Sequence, residues 1–417
     1  MSTLGPTARP VPLNVAHCIH GLGLGGAQQI IKYIVHGSDR QIFRHHVYSC
    51  SDGVFRGEIE ALGATVRIIE RRLPKFDPFW AAALARAMQR DAIDVVHTHL
   101  FGDSLHGVLA ARRLGGLPVV VTLHIGPEGQ SRLQRLGYRW VLAHSAYNVG
   151  CTESVGRAWA RLVGVPIEVV SNGIEAPSCE PPDAAVSAGM KRQLGIDPET
   201  FVVGAVGRLV AQKGYHHLIS AFADVCRRST ISPRLVLVGD GPLRADLQRQ
   251  AQREGISDLV LFTGVRSDVP RLLGAFDVLV FSSGYEGLPI ALLEGMAAAR
   301  CIIGTDAPGI LDGVRDQQEA LIVPIGDAGR LCAALMQVSA DGALRRRLGD
   351  AARRRFVREF TAQRMVSSYE RVYQHIVEAA HSANGRVTVD RVWIKRDEPQ
   401  MPFSRLPVEH PTEPGAF

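Results

Sequence analysis

A chain of 417 residues, of which 46% are hydrophobic, 21% charged and 6% aromatic, has ordinary globular composition and a length that suits two α/β domains. This composition excludes collagen-like, coiled-coil and wholly disordered proteins. The net charge of +6 is mild, and it favours acidic partners such as nucleotide phosphates, nucleic acid or anionic lipid headgroups without choosing among them.

In the first half of the chain, short β-branched runs alternate with longer amphipathic stretches. This pattern predicts βα units around a parallel sheet that is buried on both faces. Helices are predicted over residues such as 27–35 and 79–89. The predicted strands span residues 13–19, 44–49, 65–69, 95–98, 119–123, 148–152 and 167–171.

Residues 174–190 are polar and proline-rich, and they predict a linker between an N-terminal domain, residues 1–173, and a second domain, residues 191–355. The alternation of strands and helices then restarts. Two Rossmann-like sheets should therefore face each other, with a ligand cleft at the carboxyl ends of their strands. The second set of predicted strands spans residues 202–206, 234–238, 259–262, 278–281 and 301–304.

Beyond residue 341 an arginine-rich helical run leads to a final helix, predicted over residues 361–380. The tail, residues 384–417, contains five prolines and little periodicity, which predicts an extended segment. The seven cysteines form no Cys-x-x-Cys pair, so they indicate neither a disulfide framework nor a zinc module. Polar residues and glycines interrupt the uncharged stretch at residues 10–31, which fits neither a membrane span nor a signal peptide. We therefore expect a cytoplasmic protein.

The first glycine cluster, Gly21–Gly26, follows a predicted strand and opens a helix, and it satisfies Gly-x-Gly-x-x-Gly. Such a loop brings backbone amides close to a phosphate. A dinucleotide site would also require an acidic residue at the end of the second strand, and here Asp52 comes late. A dinucleotide site, a plain tight turn and a phosphate loop for another nucleotide all remain open from this cluster alone.

A second cluster, residues 204–214, contains Arg208 and Lys213 after the first strand of the second domain. A guanidinium and an ammonium at this place could converge on a diphosphate, although two solvated cations are the alternative. Further on, Glu286 and Glu294 flank a helix start at Pro289. Carboxylates accept hydrogen bonds from vicinal sugar hydroxyls, but a helix-start glutamate and a solvent-facing Glu294 would give the same spacing.

Taken together, these motifs resemble those of retaining GT-B glycosyltransferases of family four, whose hallmark Glu-x7-Glu matches Glu286 and Glu294. The resemblance covers about residues 13–380. It implies two Rossmann-like domains across a cleft, the first for the acceptor and the second for the donor, with a C-terminal helix, residues 356–383, crossing back to the first. The other matching stretches are IHGLGLGGAQQ, DVVHTHL, VVTLH, VVSNGIE, VGRLVAQKG, LVGDGP, LFTGV and DVLVFSSGYEGLPIALLEGMA.

Site roles follow from the same resemblance. Arg208 and Lys213 should bind the donor diphosphate, Glu294 the ribose and Glu286 the donor sugar, and His124 should lie near the transferred sugar. Of these, Arg208, Lys213, Glu286 and His124 are the implied catalytic residues. The remaining implied donor-binding residues are Gly25, Gly26, Gly207, Val265, Gly287 and Leu288, and the acceptor-side candidates are His99 and Asn172.

The implied reaction moves a hexose, with retention, from a nucleoside diphosphate sugar to a hydroxyl of a saccharide or lipid-linked acceptor in polysaccharide or lipopolysaccharide assembly. UDP is the favoured nucleotide and GDP the second. No Asp-x-Asp pair accompanies the cleft motifs, so we expect neither a metal nor another cofactor. An epimerase, a phosphorylase or a non-catalytic sugar-nucleotide-binding subunit could share the architecture.

Three positions depart from the family pattern. Residues 299–301 read Ala-Arg-Cys where Gly-x-Pro is usual, residues 308–312 replace Gly-Gly-x-x-Glu, and Gln28 stands where glutamate is frequent. These departures leave the identity of the donor sugar undetermined, but they do not change the implied type of reaction.

His97 and His99 lie on the same face of a predicted strand and could suggest a metal pair, but the sequence shows no third ligand. Residues 71–80 and 132–140 combine basic and aromatic side chains in the acceptor domain. They could dock on an anionic membrane surface, or they could be solvated helix faces with buried aromatics. We expect no nucleic-acid partner, because no recognition motif accompanies the charge.

Overall fold

The strands of the first domain form a seven-stranded parallel sheet, and helices cover both of its faces. A computed structural model describes residues 12–74, 76–175, 184–229 and 232–382; the predicted tail and residues 176–183 of the predicted linker lie outside these ranges. The sheet order is β3-β2-β1-β4-β5-β6-β7. Its strands are β1 (Leu13–Ile19), β2 (Phe43–Ser49), β3 (Thr65–Ile68), β4 (Val95–Thr98), β5 (Val119–Leu123), β6 (Tyr147–Gly150) and β7 (Glu168–Val169). Its helices are α1 (Gly26–Gly37), α2 (Phe55–Ala61), α3 (Pro78–Arg90), α4 (Phe101–Arg113), α5 (Arg132–Ala143) and α6 (Glu153–Val163).

The second domain repeats this plan with a six-stranded parallel sheet, in the order β10-β9-β8-β11-β12-β13. Its strands are β8 (Val202–Val206), β9 (Arg234–Val238), β10 (Val260–Gly264), β11 (Val278–Phe281), β12 (Cys301–Thr305) and β13 (Leu321–Val323). Its helices are α7 (Ala184–Gln193), α8 (Tyr215–Arg228), α9 (Arg244–Arg253), α10 (Val269–Leu272), α11 (Ile290–Ala297), α12 (Pro308–Gly313), α13 (Ala328–Ala340) and α14 (Gly342–Glu359). The two Rossmann-like sheets confirm the GT-B architecture that the resemblance implied.

The last helix, α15 (Ala362–Ser382), returns from the second domain and packs on the first, as the resemblance implied. The Tyr373 hydroxyl lies 2.7 Å from Nδ1 of His97, and the Tyr369 hydroxyl lies 3.0 Å from Oγ1 of Thr122. These four side chains are buried in the first domain. The crossing helix therefore supplies hydrogen-bond partners to polar groups in that domain's core.

The predicted linker, residues 174–190, is partly helical, because α7 begins at Ala184. Just after it, the buried Lys191 ammonium donates hydrogen bonds to Oδ2 of Asp277, at 2.9 Å, and to the carbonyl oxygens of Pro198 and Thr200. A buried lysine that loses these acceptors would be left as an uncompensated charge. This end of the segment is thus fixed to the second domain.

Ala299 adopts a left-handed backbone conformation, with a φ of 52°, directly after α11. This is the place where the resembled family has a glycine. For an L-residue with a Cβ, the left-handed region costs about 1–2 kcal/mol, because the Cβ crowds the following carbonyl oxygen. The alanine is therefore strained at a helix C-terminus that usually carries glycine.

Replacing this alanine by glycine, Ala299→Gly, should stabilise the protein by about 0.5–1 kcal/mol, because release of the strain exceeds the entropy that glycine adds to the unfolded chain. Denaturant unfolding of the full chain measures the difference. The neighbouring Ala298→Gly, at a φ of −81°, is the matched control and should instead destabilise the protein. Equal destabilisation by both substitutions would contradict the strain.

Candidate active site

The carboxyl ends of both sheets meet across a cleft, and backbone contacts hold its two walls together. A Cβ placed on Gly287 would lie 1.8 Å from the carbonyl oxygen of His124, so a larger residue than glycine would force the domains apart here. Next to this contact, Nδ2 of Asn172 donates a hydrogen bond to the carbonyl of Leu288 at 3.1 Å. The predicted positions Gly287 and Leu288 thus lie where the two domains contact each other.

The loop after β8 carries the two predicted cations. Gly214 ends this loop with a φ of +61°, and a Cβ there would lie 2.1 Å from the carbonyl oxygen of Ser282. Oγ of Ser282 donates a hydrogen bond to the Lys213 carbonyl at 2.8 Å. The loop is therefore fixed against the segment after β11. Arg208 lies near the start of the loop and is exposed.

Lys213 and Glu286 form an ion pair in which Nζ lies 2.5 Å from Oε1. Glu286 is only 6% exposed. Its Oε1 also accepts a hydrogen bond from Oγ of Ser283 at 2.6 Å, and its Oε2 accepts one from Nε2 of Gln212 at 3.4 Å. Sequence reasoning missed Ser283 and Gln212, although both stand inside the quoted motifs. Because three groups donate to this carboxylate, its position is fixed before any ligand binds.

Glu294 lies inside α11 and is 8% exposed, so it does not face solvent. Burial raises its pKa from 4.5 to about 7, against the smaller opposing effects of a hydrogen bond from Gln29 and the charge of Lys32. Nε2 of Gln29, which belongs to α1 of the opposite domain, lies 3.5 Å from Oε1. The GGAQQ motif contains Gln29, but nothing in the sequence connected it to Glu294.

Three helices begin near these side chains, and none of the three has a side-chain cap or an acidic residue in its first turn. They are α1 after Gly25, α8 after Gly214 and α11 after Pro289. The predicted Gly26 faces α11 closely, since a Cβ on it would lie 3.4 Å from Cγ1 of Ile290. Uncapped helix N-termini present free backbone N–H groups and a positive potential. The cleft is therefore suited to a phosphate-bearing ligand.

His124 is half-buried at the end of β5, and burial lowers its pKa to about 4, so its imidazole is neutral at pH 7. Its Nε2 lies 3.3 Å from Nδ1 of His99. His99 was predicted to border the acceptor cleft, but the structure places it fully buried behind His124. Asn172, the other acceptor-side candidate, is also buried and contacts Leu288 of the opposite domain.

A third histidine, which sequence reasoning missed, accompanies the pair His97 and His99. His17 of β1 stands beside His97 of β4 in the strand register, and nitrogens of the three rings lie within 4.8 Å of one another. The nitrogens of His97 are already engaged by Tyr373 and by Thr122, at 2.7 and 2.8 Å. These histidines come together because β1 and β4 are neighbours in the sheet.

The remaining predicted positions lie at the same edge of the second sheet. Gly207 follows β8 directly, and Val265 follows Gly264 at the end of β10, where its side chain is 59% exposed. Two of the departures from the family pattern also have partners. Nε2 of Gln28 donates to the carbonyl of Gly21 at 2.9 Å, and Asp312 accepts a hydrogen bond from the Ser154 hydroxyl of the other domain.

Comparisons with known proteins identify the family and support the fold. The protein-family model described as Glycosyltransferase Family 4 matches residues 24–176. The family model described as Glycosyl transferases group 1 matches residues 187–355. O-antigen chain mannosyltransferase C of Escherichia coli is 28% identical over 85% of this chain and 95% of its own length. The Escherichia coli UDP-Gal:alpha-D-GlcNAc-diphosphoundecaprenol alpha-1,3-galactosyltransferase is 28% identical over 63% of this chain and 70% of its own. The crystal structure of Anabaena HepE in complex with UDP and glucose matches with a TM-score of 0.78 at 19% identity, over 87% of this chain and 99% of that one.

The raised pKa of Glu294 predicts how stability changes with pH. The folded state holds the proton up to about pH 7, whereas the unfolded chain releases it near 4.5, so the contribution of Glu294 to the free energy of unfolding, taken as the difference between wild type and Glu294→Gln, should fall as the pH rises between these values. Glu294→Gln is the reference because its side chain cannot titrate. Denaturant unfolding between pH 4 and pH 8 measures the difference between wild type and variant.

The exposed Glu199 provides the control, because Glu199→Gln should keep the wild-type pH profile. A constant difference between wild type and Glu294→Gln over this pH range would mean that burial does not perturb the carboxyl.

Proposed function

We propose, since the chain belongs to glycosyltransferase family 4, that it transfers a hexose from a UDP-sugar to a hydroxyl of a saccharide or lipid-linked acceptor, with retention and without a metal ion. The observation that carries this proposal is the preformed group at the cleft. This group consists of the Lys213–Glu286 ion pair, the buried Glu294 and three uncapped helix N-termini. That combination suits a ligand with two phosphates between two hydroxyl-bearing sugars.

In the proposed reaction the bond between the anomeric carbon and the β-phosphate oxygen breaks, and a bond from that carbon to the acceptor oxygen forms. Negative charge builds on the departing UDP while the acceptor hydroxyl gives its proton to a phosphate oxygen. Arg208 and Lys213 neutralise the phosphate charge, and the helix N-termini add fixed dipoles. Glu286 holds the sugar hydroxyls, and Glu294 holds the ribose hydroxyls.

The choice of UDP and of a lipid-linked acceptor rests on similar proteins. The HepE structure holds UDP and glucose, and the galactosyltransferase acts on UDP-Gal and a diphosphoundecaprenol-linked sugar according to its name. Two relatives are named for lipopolysaccharide core or O-antigen synthesis. We place this chain in the same kind of pathway, on the cytoplasmic side.

The rim of the first domain supports a membrane-bound acceptor. Large apolar side chains are exposed where α3 and α5 begin, beside the exposed Arg72 and Arg132. Basic residues next to exposed apolar side chains favour contact with an anionic bilayer surface. The same two segments bury Trp80 and Tyr138, as the alternative of helix faces with buried aromatics predicts, and contact with a membrane stays a proposal. The exposed apolar side chains are Leu73, Phe76, Phe79, Leu133 and Leu136.

Among the described residues, no helix has the length and apolar character that crossing a membrane requires.

Nucleotide binding tests the donor. UDP should raise the melting temperature by about 2–5 °C at a saturating concentration, GDP should raise it less, and EDTA should leave the shift unchanged. A thermal-shift measurement of the full chain gives all three. The double variant with Arg208→Ala and Lys213→Ala should lose the UDP shift. A larger shift with GDP would contradict the choice of UDP as the donor nucleotide. A shift that EDTA abolishes would contradict a reaction without a metal ion.

Catalysis by the two cations is tested by release of UDP from UDP-glucose, UDP-galactose and UDP-N-acetylglucosamine. Arg208→Ala and Lys213→Ala should each lower turnover by about 10²–10³ while the fold persists, because each removes charge from the departing phosphate. Arg227→Ala, at the far end of α8 and exposed, is the matched control and should keep wild-type turnover.

The stereochemistry is read by ¹H NMR from the anomer that hydrolysis forms first, which should retain the configuration of the donor. Full activity of both cation variants would overturn the site assignment. Inversion of a sugar centre without release of UDP would identify an epimerase instead.

A further inference from the structure

Four histidines form a continuous line from the cleft into the core of the first domain. Nε2 of His124 lies 3.3 Å from Nδ1 of His99, and Nε2 of His99 lies 3.3 Å from Nδ1 of His17. Nε2 of His17 in turn lies 3.0 Å from Nδ1 of His45. Each contact joins an Nδ1 to an Nε2, so the four rings point the same way along the line, from β5 through β4 and β1 to β2.

Burial keeps these rings neutral. His17 and His99 are fully buried, and burial holds the pKa of each well below 6.5. The pKa of His45 is lowered to about 3 and that of His124 to about 4, for the same reason. A neutral imidazole has one N–H donor and one acceptor nitrogen. Four rings then have four N–H groups for three contacts, which leaves two self-consistent arrangements.

In one arrangement all four protons are on Nε2, and in the other all four are on Nδ1. They differ at the two ends of the line. The first leaves an N–H at Nε2 of His45, and the second leaves a lone pair there. That nitrogen is buried and has no hydrogen-bond partner among the described residues. A buried N–H without an acceptor is the costlier defect, so the second arrangement is favoured.

We propose that His45, His17 and His99 are positioning residues that hold His124 as its Nδ1–H tautomer, so that His124 presents an N–H donor rather than a lone pair to the sugar in the cleft. Nε2 of His124 accepts a hydrogen bond from His99, and Nδ1 is the nitrogen left for the cleft. An N–H at this place would bind a lone pair of a sugar oxygen. This inference deepens the proposed function and depends on it for its kinetic consequence alone.

His97 lies beside the line without joining it. Its ring centroid is 4.1 Å from that of His99, but Tyr373 and Thr122 engage its two nitrogens. A metal ion between His17, His97 and His99 would have to displace these partners and the protons of the line. The hydrogen-bonded arrangement accounts for every nitrogen of the three rings without an ion.

The far end of the line offers a matched pair of test variants. His45 lines a surface cavity of about 550 Å³ together with Arg40, Arg44 and Arg90. An Asn or Asp side chain can place its terminal atom near the position of Nδ1. His45→Asn can still donate to His17 and should keep the arrangement. His45→Asp only accepts, so at pH 8.5, where His17 stays neutral, it should force every proton of the line onto Nε2.

Two-bond ¹⁵N–¹H correlation spectra of the full chain, labelled at histidine and treated with EDTA, distinguish protonated from unprotonated ring nitrogens. Single His→Asn variants assign the signals. Wild type and His45→Asn should show His17, His99 and His124 as Nδ1–H tautomers, and wild type should show His45 likewise. His45→Asp should show His17, His99 and His124 as Nε2–H tautomers. Its turnover in UDP release should fall about tenfold through kcat, whereas His45→Asn should stay within about twofold of wild type.

Any of the four wild-type histidines found as an Nε2–H tautomer would overturn the proposal. So would an unchanged His124 tautomer in His45→Asp, a flipped tautomer with unchanged kcat, or a stoichiometric metal in the purified wild-type protein. Melting curves of both variants verify that they fold. The spectra need no substrate, so failure of the proposed function would show as absent UDP release beside an intact tautomer pattern.

Discussion

The close approach of Gly287 to the His124 carbonyl is the constraint on which the site depends. With no side chain between them, backbone from the second domain rests directly on backbone from the first. Glu286, one residue earlier, is thereby held at the cleft beside Lys213, and the carbonyl of Leu288, one residue later, accepts the hydrogen bond from Asn172. The relative position of donor-binding and acceptor-facing residues is thus set by main-chain contact, which is stiffer than contact through long side chains.

The ion pair at this contact has a further consequence. Two charges taken largely out of water interact strongly but lose hydration, so such a pair adds little net stability. The ion pair instead fixes the position of Lys213, because Glu286 holds its ammonium beside the place of a phosphate in the proposed complex. Glu286 is held in turn by hydrogen bonds from Ser283 and Gln212. Preorganised charge of this kind needs little rearrangement when negative charge develops on a leaving group.

Much of the fold follows from local sequence, whereas part of the site does not. Runs of β-branched residues predicted β1, β4 and β8 at their observed bounds, because buried parallel strands must be apolar on both faces. The three-residue β13 is too short for such a pattern, and α7 is hidden by the polar composition of the predicted linker. Spacing placed Glu286 just before a helix start and Glu294 inside that helix, as observed for α11. It could not show that His99 is buried, that His17 lies beside His99 or that His45 lies beside His17, because those contacts depend on which strands are neighbours.

The polar core of the first domain explains why the last helix crosses back. Histidines in β1 and β4, and Thr122 in β5, put donors and acceptors where apolar side chains would otherwise pack. Each such group costs free energy unless it is paired. Tyr369 and Tyr373 of α15 supply the pairing for Thr122 and His97, and both tyrosines are fully buried. Helix α15 thus completes a hydrogen-bond network of the first domain, although it follows the second domain in the sequence. A polar network requires every member, so the crossing helix belongs to the first domain's core as much as any of its own strands does.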